Sequence, residues 1–239
     1  PGPFVSDHLR RSLANGGGIR VLHADVTEVA AETIRRHGLS GRAADLATEG
    51  LVASVLLSAH IKGEERMMVQ VQAEKPRFAF TAEVRSDGSL RARLTPSRVG
   101  EGPIEGTLVA IKHDARRELY RGVARLEGTF GESLQHYLLQ SQQTEGEVHI
   151  AGPIGRLVER LPEGPPLAEE LRDLVELEEI PLVFRCTCSL ERVEGTLRAL
   201  GSEDLRALAQ EEGKGQVTCH FCNQTYVVPE SRLLELASG

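Results

Sequence analysis

The chain has 239 residues, of which 40% are hydrophobic and 26% charged, and 28 Lys and Arg against 35 Asp and Glu give a formal net charge of −7. This length allows one or two domains, and the apolar fraction excludes a disordered chain. The acidic balance disfavours nucleic-acid binding, which depends on clustered Lys and Arg, and no apolar run is long enough for a membrane span. We expect neither nucleic acid nor membrane as a partner, and the start of the chain, which lacks a secretion signal, indicates a cytoplasmic protein.

Two helices are predicted in the first quarter of the chain. Asp25 and Glu28 begin the first one in the manner of a capping box, apolar residues recur on one face up to Ile34, and Gly38 ends it. The second helix extends over about 43–59, where Ala, Leu and Val recur at helical spacing. Its many small residues predict close packing against a sheet or another helix.

Strands dominate the next part of the chain. Residues 78–84 and 90–94 alternate between apolar and other side chains, and Asp87-Gly88 between them is typical of a tight hairpin turn. Further strands are predicted over 106–112, 120–126 and 147–150, with a helix over about 132–139. Strands that cluster as hairpins predict an α+β fold with a mostly antiparallel sheet and packed helices.

Catalytic motifs are not apparent in this part. His113-Asp114, His136-Tyr137 and the segment 141–144 contain imidazole, carboxylate or hydroxyl groups, but no nucleophile elbow, metalloprotease motif or P-loop surrounds them. The glycines at 16–18 precede a strand-like segment instead of following a strand, which predicts a flexible turn. We therefore do not expect an enzyme.

A change in composition at 161–166, rich in Pro and Gly, is the best predicted boundary. It is followed by a charged segment over 167–179 with Leu167, Leu171, Leu174 and Val175 at helical spacing. This segment is interpreted either as an ordinary surface helix or as a weakly held linker helix whose apolar stripe can be uncovered. The predicted domains are an α+β domain over 1–155, a helical linker over 156–185 and a small C-terminal module over 186–239.

All four cysteines lie in the C-terminal module, as a C-x-C pair (Cys186, Cys188) and a C-x-x-C pair (Cys219, Cys222). Two close pairs from separate turns are the usual ligands of a tetrahedral zinc site, so we predict that these four residues bind Zn²⁺. Asn223 follows the last cysteine, where such a turn commonly needs left-handed backbone. A module with so few large apolar side chains would depend on the metal for much of its folding free energy.

The residues between the two pairs explain how the pairs meet. Ser189 is placed to cap a helix that Gly201 ends, and a second short helix contains Leu205 and Leu208. Residues 226–228 are predicted to form the strand that leaves the second pair. Two helices and a turn thereby return the chain to its first pair of cysteines.

Other interpretations of the cysteines stay open at this point. They include four unrelated buried thiols, a purely structural zinc, a zinc module that binds nucleic acid or the ribosome, a thiol oxidoreductase that uses Cys219 and Cys222, and a site in which His220 replaces one cysteine. The redox interpretation starts from the thiolate, which is the oxidisable species and which zinc maintains at neutral pH. Basic residues near the ligands in sequence would favour thiolates further: Arg185, Arg192, Lys214 and His220.

The cysteine segments carry a resemblance to a known family. Phe184-Arg185-Cys186-Thr187-Cys188-Ser189 and Cys219-His220-Phe221-Cys222-Asn223, with Tyr226 after them, resemble the heat shock protein 33 family of bacterial redox-regulated holdase chaperones. Segments 106–112 and 136–144 resemble N-terminal parts of the same family. Departures are Gln142 where the family usually has Glu, His113 inserted before Asp114, and a shorter connection between Ile150 and Cys186.

The resemblance implies a function. In the reduced, zinc-bound state such a protein has little chaperone activity, and oxidation would pair Cys186 with Cys188 and Cys219 with Cys222, with loss of zinc. The module and linker would then unfold, and the exposed apolar surface would bind unfolding clients without ATP, with activated subunits forming homodimers. In this interpretation residues 1–155 are the chaperone core and residues 186–239 are the redox switch.

Overall fold

The structure, a computed structural model, describes residues 7–141, 143–167 and 170–238. The first compact unit ends at Arg185 and the second is Cys186–Gly239. Helices and largely antiparallel sheets confirm the predicted α+β class. Among the described residues, no helix is both long and apolar enough to cross a bilayer. Residues 1–4 and Gln142, which entered the sequence interpretation, lie outside the described residues.

The first sheet has five antiparallel strands in the order β10-β1-β2-β9-β8. They are β1 (His8–Ala14), β2 (Ile19–Asp25), β8 (Gly146–Ala151), β9 (Ile154–Arg160) and β10 (Val175–Pro181). The predicted strand over 147–150 is confirmed as β8. A short 3-10 turn at Asn15–Gly17 joins β1 to β2, and Gly16 and Gly17 adopt positive φ there, so the three glycines do form a turn.

The second sheet has six strands in the order β11-β5-β4-β3-β6-β7. They are β3 (Arg66–Lys75), β4 (Arg77–Arg85), β5 (Ser89–Thr95), β6 (Ile104–His113), β7 (Glu118–Gly128) and β11 (Val183–Phe184), and only the β11–β5 pair is parallel. The hairpin at Asp87-Gly88 is confirmed, with φ 79° at Gly88. The strands predicted over 106–112 and 120–126 are confirmed as β6 and β7.

The three helices of the first unit are α1 (Thr27–His37), α2 (Arg42–Leu57) and α3 (Phe130–Ser141), all close to their predicted bounds. The α2 helix contacts strands of both sheets and is buried along most of its length. Its small residues permit this, because a Cβ on Gly50 would lie 2.8 Å from the ring of Phe80. The α3 helix covers the β7 edge, where the Ser133 hydroxyl bonds the backbone N–H and C=O of Glu127.

The start of α1 depends on a residue that the local sequence does not indicate. The buried carboxylate of Asp7 accepts hydrogen bonds from the N–H groups of Glu28 and Val29, at 2.9 and 2.7 Å. Asp25 accepts from the Thr27 N–H at 3.0 Å, but Val26 occupies the cap position without a side-chain bond. Because the Glu28 N–H bonds Asp7, the predicted capping box of Asp25 and Glu28 is wrong. Gly38 ends the helix in left-handed geometry, as predicted.

The prediction of a helix over 167–179 is wrong. Residues Val175–Pro181 form β10, which pairs antiparallel with β1, and Leu174 and Val175 are 61% and 58% exposed. The apolar residues have helical spacing, but the open edge of β1 supplies backbone partners to an extended chain. The segment predicted as a linker, 156–185, therefore contributes strands to both sheets of the first unit, and the Pro-rich stretch 161–166 lies inside that unit.

The second unit contains α4 (Leu190–Arg198), α5 (Ser202–Glu212), the hairpin of β12 (Lys214–Thr218) and β13 (Thr225–Pro229), and α6 (Glu230–Leu236). The predicted cap of α4 is confirmed, because the Ser189 hydroxyl accepts from the Arg192 N–H at 3.3 Å. The predicted second helix and the strand over 226–228 are also present, as α5 and β13. A small apolar cluster joins the elements: Val193, Leu197, Leu205, Ala209, Val228, Leu233, Leu236 and Ala237.

Candidate metal centre and a covered apolar face

The four cysteines reach one another from two places in the second unit. Cys186 and Cys188 directly precede the capped start of α4, and Cys219 and Cys222 occupy the turn between β12 and β13. The turn is closed by hydrogen bonds from the Asn223 N–H to the Cys219 carbonyl, at 2.8 Å, and from the Cys219 N–H to the Gln224 carbonyl, at 2.9 Å. Asn223 has φ 56°, so the predicted left-handed residue is confirmed.

The sulfur positions fit a tetrahedral metal ion. All four Sγ atoms lie within 4.8 Å of one another. The Sγ of Cys186 is 3.7 Å from that of Cys219, and the Sγ of Cys188 is 3.2 Å from that of Cys222. Zinc–sulfur bonds of about 2.3 Å in tetrahedral geometry require sulfur separations of about 3.8 Å. Four unrelated thiols would have no reason to converge in this way.

Burial makes these thiols unfavourable as anions unless a cation accompanies them. Cys222 is 4% exposed and the other three are half-buried. Burial raises the pKa of the Cys188 thiol and raises the pKa of Cys222 more strongly. A bound divalent cation reverses this preference, because coordination deprotonates a thiol outright. The donor set, four sulfurs without a carboxylate, fits a soft or borderline metal such as zinc.

One hydroxyl outside the cysteine set contacts it directly. The Tyr226 O–H, on β13, donates to the Sγ of Cys188 at 3.1 Å, and this bond raises the pKa of Tyr226 to about 12. Tyr226 therefore remains a hydrogen-bond donor at neutral pH. Donors of this kind orient metal ligands and stabilise their charge. The sequence interpretation placed Tyr226 only on the departing strand.

The basic residues predicted near the ligands lie in different parts of the structure. Arg192 is close to the first pair, because its Nη1 donates to the Thr187 hydroxyl at 2.9 Å. Lys214 begins β12, whereas Cys219 follows its end, roughly 16 Å along an extended strand. Arg185 belongs to the first unit, where it lies 3.9 Å from Asp87. His220 is exposed, and the four cysteines form the cluster without it.

The polar residues singled out elsewhere have structural partners. Asp114 accepts from the N–H groups of Arg116 and Arg117 in the turn between β6 and β7. Tyr137 is fully buried and its hydroxyl bonds that of Tyr120 at 3.2 Å. Ser141 ends α3, and its hydroxyl lies 3.5 Å from the Val123 carbonyl. These residues stabilise the β6–β7–α3 region.

A second feature of functional interest lies in the first unit. Ala14, Ile19, Val21 and Val158 form a separate apolar cluster on the strands β1, β2 and β9. Leu167 and Leu171, from the segment between β9 and β10, pack against this cluster and cover it. The segment is fixed at its far end by Asn15, whose side chain accepts from the Arg172 N–H at 2.7 Å. We name this cluster the covered face.

Comparison with known proteins is consistent with these features. The family model described as Hsp33 protein matches residues 7–165 and 153–229, two ranges that overlap before the cysteines. The 33 kDa chaperonin of Pelobacter propionicus is 29% identical over 98% of this chain and 94% of its own length. That of Bacillus subtilis is 26% identical over 95% of this chain and 97% of its own length.

A solved structure has the same fold. The 33 kDa chaperonin of Thermotoga maritima superposes with a TM-score of 0.81 and 20% identity, over 98% of each chain. The alignment with the Pelobacter relative extends over 287 residues, more than the 239 of this chain. That relative therefore contains segments with no counterpart in this chain.

Proposed function

This chain belongs to the Hsp33 protein family, and from this premise we propose that it is a redox-regulated, ATP-independent holdase chaperone of the cytoplasm. Its clients are unfolding, aggregation-prone proteins, which it binds after oxidation and so protects against oxidative and heat stress. It performs no catalysis and needs neither nucleic acid nor membrane. In this proposal residues 1–155 form the chaperone core, residues 156–185 the linker and residues 186–239 the redox switch.

The observation that carries this proposal is the convergence of the four cysteine sulfurs within 4.8 Å. We assign Cys186, Cys188, Cys219 and Cys222 as the ligands of one Zn²⁺ in the reduced protein. When bound, zinc supplies the positive charge that holds the four sulfurs as thiolates. Because the apolar cluster of the second unit is small, this crosslink stabilises the unit as a whole.

The same sulfurs are the switch. A thiolate attacks peroxide to give a sulfenic acid and hydroxide, and a second cysteine sulfur then displaces hydroxide from the sulfenic acid to form a disulfide. Two such reactions consume two peroxide molecules and four protons, release four water molecules, and convert four thiolates into two disulfides. Disulfide sulfurs no longer bind the metal, and the second unit loses its crosslink.

The proposed disulfides are Cys186–Cys188 and Cys219–Cys222. In the folded unit the Cys186 sulfur is 3.7 Å from that of Cys219, and the Cys188 sulfur is 3.2 Å from that of Cys222, so each cysteine also has a sulfur of the other pair within reach. Once the unit begins to open, the shortest loops close with the smallest loss of chain entropy, which favours the local pairs. Peptide mass mapping of the oxidised protein tests this, and crosslinks between the two pairs would contradict it.

The client surface is the covered face in the first unit. Leu167 and Leu171 bury it, and they belong to the linker that the proposal releases. Their departure would expose Ala14, Ile19, Val21 and Val158 together, an apolar patch suited to unfolding proteins. Activated subunits would associate as homodimers, since exposed apolar surface also favours self-association.

The decisive experiment follows zinc and client aggregation in one sample. Zinc-loaded, reduced protein is treated with hydrogen peroxide at raised temperature, zinc release is measured with a chromogenic chelator, and light scattering of a heat-denatured client is recorded. We expect zinc release and suppression of aggregation to rise together and to reverse with thiol reductant. Zinc release with unchanged aggregation would overturn the holdase proposal.

A further inference from the structure

The strand β10 occupies the edge of β1 in an unusual way. It pairs from His8 opposite Pro181 to Leu13 opposite Val175, so it covers almost the whole edge of β1. Yet six of its seven residues, all except Ile180, are exposed, and the Leu177 side chain remains 59% exposed. The strand on the other side of β1, β2, in contrast buries Leu22 and Ala24 completely. Backbone pairing, not apolar burial, therefore holds most of β10.

Ion pairs supply the side-chain contacts between the two strands. The Arg10 Nε lies 3.0 Å from Glu179 and 3.1 Å from Glu176, and the Arg11 Nη1 lies 2.9 Å from Glu178. The three glutamate side chains are about half exposed. Pairs of this kind contribute little to stability and are screened by salt. They do determine which sequences suit the edge, because β1 presents one cation on each face of the sheet, at Arg10 and at Arg11.

The fit of β10 to this edge is also imperfect. The register shifts between Arg11 and Ser12, where a bulge leaves Leu177 without a partner residue on β1. The Arg11 Nε is buried without a hydrogen-bond partner among the described residues. A buried unsatisfied donor is unfavourable, and a carboxylate that contacted Arg11 through both nitrogens would relieve it. A strand without the bulge is thus able to bind this edge better than β10 does.

Only the C-terminal end of β10 is firmly attached. Ile180 packs against the main core, Leu182 is 7% exposed, and the Leu182 N–H donates to the Asp7 carbonyl at 2.8 Å. The guanidinium of Arg36 stacks on the Phe184 ring at 4.8 Å from its centroid. The residues from Val175 to Glu179 are not among those packed against the main core, and the anchor before them, the hydrogen bonds between Arg172 and Asn15, belongs to the segment that covers the apolar cluster. The part of β10 before Ile180 is positioned to detach while the end near Phe184 stays in place.

From these contacts we propose that β1 is a strand-docking site for clients, and that β10 is the intramolecular segment that occupies it in the inactive protein. An extended segment of an unfolding polypeptide replaces β10 by antiparallel pairing along β1, with acidic side chains against Arg10 and Arg11. This inference deepens the proposed holdase function and rests on it. Strand addition suits a holdase, because main-chain hydrogen bonds give affinity for any extended segment.

The covered face adjoins the docking edge of β1 at the C-terminal end of that strand. Ala14, at the end of β1, belongs to the apolar cluster that Leu167 and Leu171 cover. A strand antiparallel to β1 has its N-terminal end near Ala14, as β10 does. The preferred client segment therefore has apolar residues that precede acidic ones, which is the order found in residues 167–179 of this chain.

A peptide tests the site directly. A fluorescein-labelled peptide with the sequence of residues 170–181 is titrated against the full chain, and fluorescence anisotropy reports binding. We expect the oxidised protein to bind it at least ten-fold more tightly than the reduced, zinc-loaded protein, in which β10 occupies the edge. A peptide with lysine at the positions of Glu176, Glu178 and Glu179 should bind about ten-fold more weakly at low salt, and the difference should shrink in 0.5 M salt, on the order of the screening expected for exposed charges.

Variants separate docking from redox activation. The triple substitution Glu176→Lys, Glu178→Lys and Glu179→Lys weakens β10 without oxidation, so the reduced protein should gain peptide binding and faster hydrogen exchange in β1. Peptide binding should then slow that exchange again. The matched control changes three exposed glutamates of the other sheet to lysine, Glu74, Glu105 and Glu127, and should bind as weakly as the unmodified reduced protein.

The outcomes distinguish this inference from the proposed function. If oxidised protein suppresses client aggregation but β1 exchange is unchanged by the peptide, or if the lysine peptide binds equally well at low salt, strand docking is overturned and the holdase stands. If aggregation is not suppressed, the holdase proposal fails, while the triple variant still decides whether β1 binds strands. Absence of peptide binding to both the triple variant and the oxidised protein overturns docking.

Discussion

The two units of this protein differ in what holds them together. The largest fully buried side chains, including Tyr137, Phe78, Phe80 and Phe130, all belong to the first unit. The second unit has a small cluster of mainly Leu, Val and Ala, and all four cysteines. Stability in the first unit therefore comes from apolar burial, which an oxidant does not touch, whereas the second unit sets beside its smaller cluster four sulfur atoms, which an oxidant changes.

This difference shows how one part of a chain can unfold in response to a signal while the rest of the chain stays folded. A unit with a large core keeps its structure when its neighbour unfolds, provided that the neighbour's stability is concentrated in one reversible crosslink. The first unit still contains one segment of the weak kind, the part of β10 before Ile180, which is held by ion pairs and backbone pairing.

Loss of the metal should have the largest effect, and this effect should be greatest in the second unit. In Cys222→Ser or after treatment with a strong zinc chelator, residues 186–238 should lose protection from hydrogen exchange, since metal binding contributes on the order of 10 kcal/mol to such units. The main core of the first unit should keep its protection. The control Thr187→Ser retains every sulfur, and it should behave as the unmodified protein. If the second unit keeps its protection from hydrogen exchange without metal, its stability does not depend on the metal.

Truncation of a core side chain should have a smaller effect than loss of the metal, and the effect should differ between the two units. Leu51→Ala in α2 should lower the free energy of unfolding of the first unit by about 2–5 kcal/mol in guanidinium titrations, without a change in zinc affinity. Leu233→Ala in α6 should instead weaken zinc binding by ten-fold or more, measured by chelator competition, because folding and metal binding are coupled there. Equal zinc affinity in both variants would show that the second unit folds without its metal.

Removal of one hydroxyl tests the contact to the cysteine set. Tyr226→Phe deletes the donor to Cys188 and should lower zinc affinity about ten-fold and speed zinc release by peroxide. Tyr120→Phe removes a comparable hydroxyl from the first unit, where it lies 3.4 Å from the Ser141 carbonyl, and should leave zinc binding unchanged. A Tyr226 variant with normal zinc affinity and release would mean that this hydrogen bond is incidental.

The first unit should respond to pH through His60. Burial, with Arg20 nearby as the next cause, lowers the pKa of His60 from 6.5 to about 4, and its Nε2 lies 3.3 Å from the Arg20 Nη2. Because the unfolded chain takes up a proton at His60 more readily than the folded unit does, the free energy of unfolding is highest above pH 6.5 and falls as the pH decreases through 4. Since a third of the side chain is exposed, we expect a loss on the order of 1 kcal/mol.

The His60→Gln variant should flatten this pH dependence in urea titrations between pH 7 and pH 4, a range of about three units that ends at the shifted pKa. His136→Gln, an exposed position on α3, is the control and should retain it. A pH dependence that is identical in the His60 variant and the unmodified protein would exclude His60 as its source.

The smallest effects should come from exposed ion pairs, in either unit. Arg232 contacts Glu194 through two nitrogens at 2.9 and 2.8 Å and joins α6 to α4, and Arg35 contacts Glu32 within α1. Arg232→Ala and Arg35→Ala should each lower the midpoint of thermal unfolding less than the core truncations do, and this difference should vanish in concentrated salt. A large effect of Arg232→Ala on thermal unfolding would mean that the second unit depends on more than its sulfur crosslink.

Short-range chemistry made part of the fold predictable from the sequence. The turn at Asp87-Gly88, the left-handed stop at Gly38 and the Ser189 cap each involve residues a few positions apart, and all are present. The cysteine cluster was predictable for the same reason, because each pair is local and a metal site requires the pairs to meet. These features follow from backbone geometry and ligand chemistry, which operate within a turn or two.

Tertiary structure alone decided the features that join distant segments. Asp7 caps α1 from 21 residues away, Tyr226 reaches Cys188 across 38 residues, and Arg10 meets Glu179 across 169. The segment 167–179 has an apolar stripe of helical period, yet its residues from Val175 onward form a strand, because an open sheet edge with two arginines satisfies their backbone groups and their glutamates. A local period indicates what a segment is able to form, and the partner that arrives from elsewhere in the chain determines what it does form.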